Sequence, residues 1–143
     1  MVMSCASLKS PLFLIKVVEL VMAVICTVLS SVHPTSIVYY EYFYKMEVVH
    51  GTFIGFSLVA SVIILGYVTG NALKTPLIMI ISATAAIMFL TSGIFVFQAH
   101  INYSSGVTGT GNLIAAGIFA IITCMLYLVD LGLTYKNAGV VAI

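Results

Sequence analysis

Lys16 and Glu19 stand three residues apart inside an apolar run covering residues 11–32. That spacing puts both side chains on one face of a helix. At about 1.5 Å per residue from Pro11, Lys16 lies about 7 Å and Glu19 about 12 Å into the run. A lone carboxylate at that depth in hydrocarbon costs several kcal/mol, so Glu19 requires a partner. Lys16 can pair with it locally and reach back toward the near surface along its methylene stem. Extended in steps of three and four, the same face reads Lys16, Glu19, Ala23, Cys26 and Ser30. The last apolar run carries a matching stripe of Ala116, Ala120, Thr123, Tyr127 and Asp130. Laid antiparallel, the two stripes bring Ser30 against Ala116 at one end. At the other end Lys16 and Glu19 meet Tyr127 and Asp130. Small residues such as Ala116 and Ala120 let the backbones approach, and Lys16 is expected to bridge Glu19 and Asp130. Two chemistries fit this cluster: a proton or ion site, or a clasp that fixes helix register. A conducting path needs polar groups continued to the far face. The rest of both stripes is mostly small and apolar, which favours the clasp.

The elements that must carry these residues follow from composition. Of 143 residues, 62% are hydrophobic and 6% charged, against about 25% charged in an ordinary soluble domain. The solvent for such a surface is lipid. Four solid apolar runs, at about 11–32, 48–69, 75–97 and 112–133, are each long enough to cross hydrocarbon as a helix. The fold predicted is all-α, one integral-membrane four-helix bundle. Ser10-Pro11 and Thr75-Pro76 each read as a cap followed by proline at the first helical position. The first run is long, interrupted by charge and without a small-residue cleavage site, so it reads as a retained helix. Between the runs lie residues 33–47, a short turn at 70–74 and a glycine-rich stretch at 98–111. With four spans, Lys9, Lys74 and Lys136, with Lys16 nearby, fall on the side of both tails; Lys45 falls on the other, beside Glu41 and Glu47. The positive-inside bias then predicts cytoplasmic termini.

Other motifs carry less. Gly51-Thr-Phe-Ile-Gly55 and Gly66-Tyr-Val-Thr-Gly70 have GxxxG spacing, suited to close helix contact within the bundle or between copies, with internal packing favoured. Tyr39, Tyr40, Tyr42, Phe43 and Tyr44 suit the headgroup layer, or else a partner protein. Asn102-Tyr103-Ser104 is a glycosylation acceptor in a predicted outer loop. Cys5 is a juxtamembrane candidate for palmitoylation. His33, His50 and His100 lie at outer helix ends without metal-ligand spacing, so no metal is expected. Near-neutral net charge excludes nucleic acid as a partner. The usual hydrolase, metalloprotease and nucleotide-binding signatures are missing, so neither an enzyme nor a cofactor is expected.

Two stretches resemble the MARVEL family of four-span proteins. Leu14-Ile-Lys-Val-Val-Glu-Leu20 is similar to that family's Lys-x-x-Glu-Leu opening, which aligns Lys16 and Glu19 with it. Ala115 to Asp130 is similar to its alanine-started last span, ending here in Tyr127 and Asp130. The resemblance implies a non-enzymatic membrane-organising protein of vesicle trafficking, membrane apposition or specialised membrane domains, in a plasma or vesicle membrane. Its implied partners are membrane lipids, further copies or other membrane proteins. The alternatives are a small channel or transporter subunit built on the Lys16, Glu19 and Asp130 cluster, and a cell-junction component.

Overall fold

A computed structural model describes residues 10–31, 43–71, 73–103 and 110–141. The elements in chain order are α1 (Pro11–Ser31), α2 (Phe43–Val68), α3 (Thr75–Tyr103) and α4 (Thr110–Val141). No strand occurs among the described residues. All four helices are long and apolar enough to cross a membrane.

Local chemistry sets the ends. The Ser10 hydroxyl accepts from the Phe13 N–H at 3.3 Å, and its carbonyl accepts from Leu14 at 3.2 Å. Ser10 is thus the cap, with Pro11 where a missing N–H costs nothing. Helix α2 closes at Gly70, whose φ of 76° lies in the left-handed region that glycine adopts without strain. At α3 the cap sits one residue earlier than expected. The Lys74 carbonyl accepts from Leu77 and Ile78 at 3.0 and 3.2 Å, and Thr75 is already helical.

The helices also run past the apolar windows. Helix α2 starts at Phe43 rather than near Val48, and α3 continues to Tyr103 rather than stopping near Phe97. Helix α4 covers 32 residues, from Thr110 to Val141. Apolar windows end where hydrocarbon ends. A helix satisfies its own backbone and continues through the headgroup layer into water, so Glu47, Gln98 and Lys136 interrupt hydropathy without interrupting hydrogen bonds. Hydroxyls inside the spans are satisfied in the same way. Thr27, Thr52, Ser57, Thr91 and Thr123 each donate to the carbonyl four residues earlier, at 2.7–2.9 Å.

The four helices close a ring. Helix α1 packs on α2 and α4, α2 on α3, and α3 on α4. Contacts run antiparallel. The start of α1 meets the end of α2 through Phe13 and Tyr67, whose ring centroids lie 6.1 Å apart. The start of α2 meets the end of α3 where Lys45 donates to Gln98 at 2.7 Å. Helices α3 and α4 approach at two glycines outside the GxxxG motifs. A Cβ on Gly93 would lie 3.1 Å from Ile121, and one on Gly117 3.3 Å from Phe97 and Val96. Outward, α1 presents Leu14, Val18, Val21, Val24 and Val28, and the other helices present similar aliphatic rows. In water such a surface would aggregate; in lipid it is the solvated face.

Candidate functional site

Helix α1 buries Lys16, Glu19, Ala23, Cys26 and Ser30, and no other described residue of its length is buried. That stripe lies along α4, whose Ala116, Ala120, Thr123, Tyr127 and Asp130 are buried in turn. At one end the ions converge. Lys16 Nζ lies 2.6 Å from Asp130 Oδ2 and 3.0 Å from Glu19 Oε2, with side chains no more than 1% exposed. Helix α3 joins through Ser82, whose hydroxyl donates to the same Asp130 oxygen at 2.5 Å and accepts weakly from Lys16 at 3.4 Å. The ammonium also sits 5.7 Å from the centre of the Tyr127 ring, within reach of its negative face. One cation therefore ties α1, α3 and α4. Helix α2 closes the remaining side with Tyr67, within electrostatic reach of Lys16, Asp130 and Glu19.

The partners are unequal. Asp130 Oδ2 receives two donors, whereas Glu19 receives one. The second oxygen of each acid, Glu19 Oε1 and Asp130 Oδ1, is buried with no hydrogen-bond partner.

Toward the other end the core turns aromatic. Tyr127 stacks on Phe89 at 5.6 Å between ring centres, and Phe89 on Phe53 at 5.7 Å. Phe56 leans on Phe89 at 5.8 Å and on Tyr127 at 6.2 Å. This pile fills the centre of the ring beside the ions. Farther along, Ser30 Oγ and His50 Nδ1 lie 3.5 Å apart.

The remaining sequence candidates scatter. A Cβ added at Gly51 or Gly55 meets nothing within 4 Å, so these glycines face away from the bundle, and Gly70 serves the turn. Gly66 is half-buried, and its carbonyl accepts from Thr69 at 3.3 Å. Asn102 is exposed on the last turn of α3. Of the aromatic group, Phe43 and Tyr44 begin α2 and touch edge to face at 5.7 Å; Tyr39, Tyr40 and Tyr42 lie outside the described residues, as do Cys5 and His33. Among the described residues no three His, Cys, Asp or Glu side chains converge as a metal site would require.

Ser82, Tyr67 and the phenylalanine pile escaped the sequence reading. Ser82 is one of several α3 hydroxyls, and only its depth opposite Asp130 marks it out. Phe53, Phe56 and Phe89 look like any core or lipid-facing rings until the ring order of the helices is known.

No characterised protein and no solved structure matches the chain. The profile of the MARVEL family, described as a membrane-associating domain, matches residues 7–133. That stretch takes in all of α1, α2 and α3 and most of α4, with the buried cluster at its heart. The chain is an integral, multi-pass membrane protein and belongs to the MARVEL family.

Proposed function

We propose that this protein organises membrane, in vesicle traffic, membrane apposition or a specialised lipid domain, without catalysing a reaction. Its working surface is the lipid-facing exterior and the helix ends, and both termini lie in the cytoplasm. The buried ions serve as a clasp that fixes the register of α1, α3 and α4. The observation that carries this reading is the position of the polar groups. The charges meet at one end, pair through Lys16, and are followed by the Tyr127, Phe89, Phe53 and Phe56 pile. An ion crossing the bundle would have to displace that pile. The test pairs two assays on the purified chain in sealed vesicles and in cells. Vesicles should show no proton, sodium or potassium flux above empty controls, and in cells the protein should co-fractionate with a discrete membrane domain. Flux abolished by Glu19→Gln would reverse the assignment in favour of a transporter.

A further inference from the structure

The clasp contains one ammonium and two carboxyl groups, Lys16 against Glu19 and Asp130, all buried. With every group ionised, it would hold a net charge of −1 inside the bundle. Such an uncompensated charge is strongly disfavoured in a buried, water-poor site. The other groups facing it bring no compensation. Helix α2 contributes Tyr67, α3 the Ser82 hydroxyl and α4 the Tyr127 ring; among the described residues near the acids, Lys16 is the single cation. The two acids also keep one oxygen each, Glu19 Oε1 and Asp130 Oδ1, buried and unpartnered. Something positive and very small belongs there.

We propose that the cluster is a proton-binding site, holding one labile proton that balances its charge as Lys⁺, Asp⁻ and a neutral Glu19. A metal ion is a poor occupant. Calcium needs at least about six oxygen ligands, and two free oxygens beside an ammonium cannot supply them. A proton needs one. Glu19 is the better holder because Asp130 already takes donors from both Lys16 and Ser82, which stabilise its ionised form. The step is simple: a proton from the aqueous phase adds to the Glu19 carboxylate and leaves the same way, with no bond broken elsewhere. The proposal rests on the clasp reading and adds its proton count, which equals acids minus bases.

Infrared spectroscopy of the full chain tests this count, in a maltoside detergent that has no ester carbonyl to overlap. At neutral pH the wild type should show a protonated-carboxyl C=O band that shifts in heavy water. Glu19→Gln should lose it, because Lys16 and Asp130 then balance. Asp130→Asn should lose it too, because Lys16 and Glu19 then balance. Absence of the band in folded wild-type protein overturns the proposal, and so does its survival in either variant. The wild-type spectrum alone is decisive if a variant fails to fold. Failure of the clasp itself would appear separately, as a Lys16→Met variant with unchanged stability.

Discussion

Lys16 bonds to Asp130 on α4 and Ser82 on α3 as well as to Glu19 on its own helix, so its removal strands two buried acids. Breaking a buried pair by deleting one partner costs about 3–5 kcal/mol. Lys16→Met should therefore lower the thermal midpoint of the detergent-solubilised protein sharply. The triple variant Lys16→Met, Glu19→Gln, Asp130→Asn should recover part of that loss, because no charge then remains unpaired. Ser82→Ala should cost less, about 1.5–3 kcal/mol, chiefly through the lost hydrogen bond to the Asp130 carboxylate. These residues differed in how readable they were. Lys16, Glu19 and Asp130 stood out because charge within an apolar run always needs explaining. Ser82 did not, because a helix satisfies a lone serine on its own carbonyl, as Ser57 and Ser61 do.

At the level of elements, the spans themselves were legible and their ends were not. Hydropathy reports the thickness of hydrocarbon, while helix length reports hydrogen bonding, and the two diverge at Phe43–Glu47, Gln98–Tyr103 and beyond Leu133. Glycine spacing misled for a related reason. GxxxG records that a close approach is permitted, not which helix makes it. Gly51 and Gly55 open outward, whereas Gly93 and Gly117, which match no motif, are where α3 and α4 meet. Gly117→Leu should therefore destabilise the monomer by about 1–3 kcal/mol through overpacking. Gly51→Leu should stay within about 0.5 kcal/mol of wild type, as a surface change. Thermal unfolding of the two variants side by side checks the contrast. Phe89→Ala, which removes the ring shared by Phe53, Phe56 and Tyr127, should cost about 3–5 kcal/mol through the cavity it leaves.

Across the whole molecule, the exterior is lipid-facing and the Lys16, Glu19 and Asp130 charges are interior, the reverse of a soluble fold. Charge also differs between the two ends. Lys74 and Lys136 are exposed at the end that carries the clasp, while Lys45 and Glu47 share the other. With cytoplasmic termini, an impermeant maleimide should label Lys74→Cys and Lys136→Cys only after the plasma membrane is opened, and Lys45→Cys in intact cells; the reverse pattern would invert the topology. Ring closure, α1 onto α4, was foreseeable because the first and last spans carry matching small and polar stripes. The order of the aromatic pile was not, since it depends on the rotation of α2 and α3. The account as a whole depends on Lys16 and Asp130 joining the two ends of the chain inside the membrane. The most direct measurement is a charge-swap cycle on the full-length protein, comparing the thermal stability of Lys16→Asp, Asp130→Lys and the double exchange. Each single change should be severely destabilising, and the double exchange should restore at least half of the lost stability. A double variant no more stable than the worse single one would contradict the account.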